Sequence, residues 1–247
     1  MPGQKLRSVA IIQARMGSTR LPGKVLRDLA GEPMLSRVVE RTRQARSLDE
    51  IVVATSDLEA DDRIESLCNE RRWAFYRGSE KDVLSRYYEA AKEFEADIVV
   101  RVTSDCPLID PALIDDHVER LKARWCEVDF VTNMMQQTFP LGLAVEAMPI
   151  DVLVRMHRMS RSPELREHVT TLAYVEPGRF EIEHILHTTD LSKMRWTVDT
   201  AEDLAFVRRI FQHFGQDRFS WQEVLPVLER YPEWQEINRG MAAIAAG

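Results

Sequence analysis

Four short, β-branched apolar runs punctuate the first half of the chain, each followed by a stretch whose apolar residues recur with helical spacing. Ser8 to Gln13, Ile51 to Thr55, Trp73 to Tyr76 and Asp97 to Val102 read as buried strands. Between them, helical periodicity runs from Met34 through Leu35, Val38 and Val39, with Pro33 at a tolerated first-turn position. A second helix carries Ile64, Leu67 and Cys68 on one face, with Asp57 as its expected cap. Ser79, with Asp82 three residues on, resembles a capping box opening a third helix through Leu84, Tyr87, Tyr88 and Ala91. Asp110-Pro111 opens a fourth, through Leu113, Ile114, Val118 and Leu121. Such alternation requires a mostly parallel sheet covered by helices on both faces, because parallel strands need crossover connections. Ligands of such sheets gather at the carboxyl ends of the strands.

The second half is less regular. Val128 to Val131, Leu143 to Ala147, Glu181 to His187 and Arg195 to Val198 read as strands. Helices are expected over Ile150–Ser160, Glu164–Tyr174, Ala201–Phe214 and Gln222–Ala246, the last broken near Pro232. With no internal repeat and no linker, the 247 residues read as one α/β domain, with an inserted or appended lobe.

Composition narrows the class of function. A net charge of −7 argues against a general nucleic-acid or membrane-surface binder, so any basic site must be local. No apolar run reaches the roughly 20 residues that a membrane helix needs. Cys68, Cys106 and Cys126 share no CxxC spacing, which disfavours a disulfide scaffold or structural zinc site and suggests a reducing cytoplasm.

The local basic site follows the first strand at once. From Gln13 to Arg27 the chain carries Arg15, Arg20, Lys24 and Arg27 and no acid. Gly17 and Gly23 allow positive φ and close backbone approach, so amides can line an anion. Arginine offers phosphate a bidentate fork and lysine a mobile point charge. A P-loop is excluded by counting: five residues separate Gly17 from Gly23 where that motif has four, and Val25 stands where it needs Ser or Thr.

Two strand-end aspartates complete the pattern. Asp105 closes Arg101-Val102-Thr103-Ser104-Asp105, and Asp199 closes Arg195-Trp196-Thr197-Val198-Asp199. Magnesium prefers a few carboxylates with phosphate oxygens and water. Asp199 alone reads equally as the N-cap of the helix that begins at Thr200 to Asp203.

Ala14-Arg15 through Pro22-Gly23-Lys24, followed by Leu26, resembles the amino-terminal signature of the CMP-sugar synthetases, including CMP-KDO synthetase and the acylneuraminate cytidylyltransferases. With Gly78-Ser79-Glu80 and Asp105-Cys106-Pro107-Leu108-Ile109-Asp110, the chain most resembles the spore-coat polysaccharide biosynthesis protein F branch, from about Val9 to about Asp203. The resemblance implies a three-layer, Rossmann-like nucleotide-diphospho-sugar transferase fold, with residues 128–190 contributing an acceptor-binding and dimerisation lobe of a homodimer. It implies a magnesium-dependent cytidylyltransferase that moves CMP from CTP to a sugar acid or similar small acidic acceptor and releases pyrophosphate, in surface polysaccharide biosynthesis. Arg15, Lys24 and Asp105 are then catalytic. Ala14, Ser18, Arg20, Ser79, Arg101 and Thr103 join Arg15 and Lys24 as nucleotide contacts. Asp105 and Asp199 match the metal ligands, and Glu146 and His168 fall in the acceptor region. The chain departs from the CMP-KDO enzymes in having Ser104 and Cys106 around Asp105, and Arg166-Glu167-His168-Val169-Thr170 in place of their His-and-Tyr signature.

His168 is the best candidate for a general base by residue type, and is equally an acceptor contact or a structural histidine. Cys106 reads as a packing residue. A glycosyltransferase of the same fold and a non-catalytic nucleotide binder are the competing readings. The first usually carries an Asp-x-Asp motif, whereas Asp105-Cys106-Pro107 holds one aspartate.

Overall fold

The computed structural model describes residues 5–241. Its element order follows the expected alternation. The strands are β1 Ser8–Gln13, the short hairpin β2 Asp28–Leu29 and β3 Glu32–Pro33, β4 Glu50–Ser56, β5 Ala74–Gly78, β6 Ile98–Thr103, β7 Phe130–Thr132, β8 Glu146–Pro149 and β9 Ile182–His184. The helices are α1 Met34–Thr42, α2 Asp62–Arg71, α3 Val83–Glu93, α4 Pro111–Ala123, α5 Ile150–Met159, α6 Pro163–Glu167, α7 Thr171–Val175, α8 Ala201–Phe214, α9 Trp221–Arg230 and α10 Glu233–Glu236.

Seven strands form one sheet in the order β5-β4-β1-β6-β8-β7-β9. β5, β4, β1 and β6 run parallel, and β8 is antiparallel to both of its neighbours, β6 and β7. β7 and β9 pair in parallel, so the segment 128–190 contributes strands to this same sheet. Apolar side chains leave the central strands on both faces. Ala10 and Ile12 enter one core with α1, α2, α4, α8 and α9, while Val9 and Ile11 enter a second core with α3, α5 and α7. This is the three-layer, mostly parallel α/β architecture implied by the sequence, and β1 has no solvent-facing side until its carboxyl end.

Several local expectations are corrected. Asp57 caps nothing: a 3-10 turn, Glu59–Asp61, leads into α2, and the residue at the cap position is Asp61. The cap of α3 is Asp82, whose carboxylate accepts from Ser85 N at 2.9 Å, whereas Ser79 Oγ accepts from Asp82 N in the preceding turn. The helix expected over Glu164–Tyr174 is two short ones, split where Val169, at φ +51, turns its side chain into the core. Arg195 to Val198 is not a strand beyond one bridge, Leu141 to Arg195. Side chains take its carbonyls instead: Asn238 Nδ2 donates to Arg195 O and Lys24 Nζ to Val198 O. Helix in the last segment is interrupted at Pro232, and the part of that expectation past residue 241 lies outside the described residues. Among the described residues, no helix is long and apolar enough to cross a membrane.

Candidate active site

The basic loop is held by its own backbone and by one buried acid. Met16 O accepts from both Ser18 N (2.9 Å) and Gly23 N (3.0 Å), closing the loop on itself. Asp61, almost fully buried, accepts Met16 N at 2.7 Å and also binds the Ser56 amide and hydroxyl at the end of β4. Gly23 sits at φ +68, where a Cβ would meet Met16 Cε at 3.1 Å; glycine suits this turn on both counts. The turn delivers Lys24 inward to the floor of the site.

There Lys24 Nζ donates to Asp199 Oδ1 at 2.8 Å, to Val198 O at 2.8 Å and to Asp105 Oδ2 at 3.3 Å. The basic loop and both distant aspartates therefore share one site. Asp199 is not the N-cap of α8. Thr200 is, in a capping box with Asp203, which leaves the Asp199 carboxylate free to turn towards Lys24. Arg20 (3.0 Å) and Arg195 (2.9 Å) approach its other oxygen. Arg195 is itself anchored by Asp203, at 2.9 and 3.0 Å. Burial alone would depress the Lys24 ammonium and raise the Asp199 carboxyl. The charges of Asp105 and Asp199 outweigh it for Lys24, which is held above the usual lysine range. Lys24, Arg20 and Arg195 outweigh it for Asp199, which is held below the usual carboxylate range. At neutral pH Lys24 and Asp199 both stay charged.

Backbone contacts bring the two aspartates together. Val198 N (2.8 Å) and Thr197 Oγ1 (3.2 Å) both donate to Asp105 O. The 196–198 segment also packs on Gly142, whose φ is +116 and whose Cβ, if present, would lie 2.6 Å from Thr197 N and from Trp196 C.

Above this cluster, at the carboxyl ends of β1 and β6, opens a cleft of about 360 Å³. Ala14, Arg15, Ser18, Arg20, Lys24, Arg101, Thr103, Asp105, His168 and Asp199 all line it. Arg15 and His168 are exposed at its rim, and Arg15 faces Glu167 of α6 at 3.8 Å. Cys106 is buried behind Asp105, and burial pushes its thiol well above the usual range, which leaves it a packing residue.

Two expected contacts lie elsewhere. Ser79 is exposed in the turn before α3 and binds Asp82 N rather than the cleft. Glu146 lies behind the cleft wall, 2% exposed. It is paired across β6 and β8 with Arg101 (2.5 Å), and Thr170 Oγ1 and Tyr174 OH also donate to it. Its oxygens are thus used within the protein, and its action on the cleft is to fix Arg101.

Three residues of this site escaped the sequence reading. Asp61 and Glu167 carried no local signal, because their partners are 45 and 152 positions away in the chain. Arg86 was readable: it interrupts an otherwise apolar helical stripe of Val83, Tyr87 and Ala90 on α3.

Fold and cleft together place the chain among the three-layer α/β nucleotidyltransferases. Within that class it belongs to the cytidylyltransferase family, whose model matches residues 9–223. The chain is 32% identical to the spore coat polysaccharide biosynthesis protein SpsF of Bacillus subtilis, over 90% of this chain and 94% of that one. Its structure is similar to that of a cytidylyltransferase from Leptospira borgpetersenii, with a TM-score of 0.90, 32% identity and coverage of 93% and 97% of the two chains. The fold extends to a CMP-2-keto-3-deoxy-manno-octonic acid synthetase solved with CTP, with a TM-score of 0.62, 21% identity and coverage of 84% and 99%.

Proposed function

We propose that this cytidylyltransferase binds CTP with Mg²⁺ in the Lys24–Asp105–Asp199 cleft, transfers CMP to a small acidic acceptor such as a sugar acid, and releases pyrophosphate. The reading includes a cytoplasmic homodimer serving surface polysaccharide biosynthesis, supported by the likeness to the spore-coat protein. The single observation that carries it is the Lys24 ammonium held between the Asp105 and Asp199 carboxylates under a cationic loop. Asp105 and Asp199 suit Mg²⁺, which takes one or two carboxylates with substrate phosphates and water. Among the described residues no group of three or more His, Cys, Asp or Glu side chains forms an all-protein cage, in keeping with a metal that completes its shell on phosphate.

The reaction is an in-line displacement: an acceptor oxygen attacks the α-phosphorus and pyrophosphate leaves opposite it. Positioning and charge stabilisation carry most of such catalysis. A bound Mg²⁺ would polarise phosphoryl oxygens. Arg15, Arg20 and Lys24 would neutralise charge on the departing pyrophosphate, each such contact being worth about 3 kcal/mol. Arg101, fixed by Glu146, and Thr103 would orient the nucleotide. His168, exposed at the rim, would meet the acceptor. Pyrophosphate release from CTP, measured across an acceptor panel with Mg²⁺, tests the proposal. Lys24→Ala and Asp105→Ala should each lower it about a hundredfold while remaining folded. Wild-type rates in either variant would remove the mechanism.

A further inference from the structure

Arg86 lines the cleft and has no part in the proposed reaction. It projects from α3, is 2% exposed, and lines the cleft beside Ala14 and Val83. Among the described residues its one hydrogen bond is from Nη1 to Ser79 O, at 2.8 Å, and its Nε is buried without a partner. No carboxylate of the described residues lies within 4.0 Å of it. Arg101, the other buried arginine of the cleft, has Glu146 against it. Burial depresses the Arg86 guanidinium, while the same pairing raises that of Arg101. A buried arginine left this incompletely satisfied is costly, and a ligand that accepts its N–H groups removes the cost.

The position of Arg86 says which part of a nucleotide it meets. Arg86 donates to Ser79 O and packs on Gly78 at the end of the edge strand β5, whereas Asp105 follows β6, with β4 and β1 between the two strands in the sheet. Lys24 and the two aspartates occupy the other end. A nucleotide whose phosphates lie there can run its nucleoside towards α3, along a cleft wall to which Ala14 and Val83 contribute small apolar surfaces. These are surfaces suited to a flat ring, with the arginine fork at its edge.

We propose that Arg86 reads the pyrimidine edge of the nucleotide and sets the preference for cytosine over uracil. Cytosine presents two adjacent acceptors, O2 and N3, which the free N–H groups of an arginine can meet together. Uracil carries a hydrogen on N3, so one donor then faces another donor. The turn after β5 supports this placement: a Cβ on Gly78 would lie 3.4 Å from Arg86 Cγ, so the end of β5 packs directly on the arginine stem.

The inference rests on the nucleotide reading of the cleft, and calorimetric binding of CTP and UTP with Mg²⁺ separates the two. Wild-type protein should bind CTP about tenfold to a hundredfold more tightly than UTP, the discrimination expected of one paired arginine contact to a base edge. Arg86→Met should bring that ratio close to one, mainly by weakening CTP. Arg86→Lys keeps the charge, loses the fork, and should also lose most of the ratio. It serves as the test if the Met variant does not fold. A general packing role would weaken both nucleotides alike and leave the ratio intact, which would overturn the inference, as would equal binding of CTP and UTP by the wild type. Failure of the wild type to bind either nucleotide would instead remove the nucleotide reading itself.

Discussion

Gly142→Ala isolates the contact that joins the two halves of the site. At φ +116 the residue is outside the backbone regions open to L-amino acids, a cost of about 1–3 kcal/mol for alanine. The added Cβ would also stand 2.6 Å from Thr197 N and Trp196 C, both backbone atoms. They have little freedom to retreat. Trp196 N donates to Leu141 O at 2.6 Å, and Val198 N to Asp105 O at 2.8 Å. Overpacking against such atoms adds about 1–3 kcal/mol, so the combined loss is about 4 kcal/mol. Gly31→Ala is the control: φ is +90, but nothing lies within 4 Å of its Cβ, so it should lose only the backbone part. Urea unfolding of both variants gives the difference. Because relief of the clash must displace the 196–199 segment, pyrophosphate release should also fall in Gly142→Ala and not in Gly31→Ala. If the two variants agreed within about 0.5 kcal/mol and retained equal activity, the close approach would carry none of the proposed weight.

Other perturbations follow from the buried charges. Burial would raise the Asp203 carboxyl, but Arg195, Asn238 and the Asp199 amide together hold it below the usual range. Its charge therefore stabilises the fold above about pH 4, and that contribution is lost as the pH falls through the lower, folded value. Asp203→Asn should cost about 3 kcal/mol at pH 7 and progressively less in acid; a deficit unchanged by pH would contradict this. Arg41, fully buried and pushed down to about 10 by burial, donates to Ile109 O at 2.8 Å and Asp217 O at 2.7 Å, and stacks on Phe219. Arg41→Met orphans those carbonyls and should lower stability by about 3 kcal/mol in thermal or urea unfolding, with little recovery in Arg41→Lys. In the native protein, Cys126 should react with a thiol reagent and Cys68 and Cys106 should not, because the first is exposed and burial pushes the other two up. Rapid labelling of Cys106 would reopen its role as a nucleophile.

Much of the site could be read because its signals are local. The basic stretch Arg15 to Lys24 is contiguous, and Asp105 and Asp199 each follow a stretch of strand-like composition. Where reading failed, a distant partner had redirected a residue with ordinary local preferences. Glu146 looked available to an acceptor because its partners Arg101, Thr170 and Tyr174 are far away in sequence. Arg195 to Val198 has strand-like composition, yet Lys24 and Asn238 take the carbonyls that a neighbouring strand would have used.

By itself, the sequence determined the layered α/β plan, because buried parallel strands and amphipathic crossovers impose two different hydrophobic periods over short windows. It also determined that an anion-binding loop follows β1, because charge and glycine placement are properties of consecutive residues. Only the tertiary structure decided that Lys24 lies between Asp105 and Asp199, that Glu146 is buried against Arg101, and that no carboxylate of the described residues pairs with Arg86. Those outcomes depend on which charges meet after the chain has closed on itself, over 45 positions for Arg101 and Glu146 and over 81 and 175 at Lys24. Desolvation makes such meetings energetically decisive only once the core around them exists.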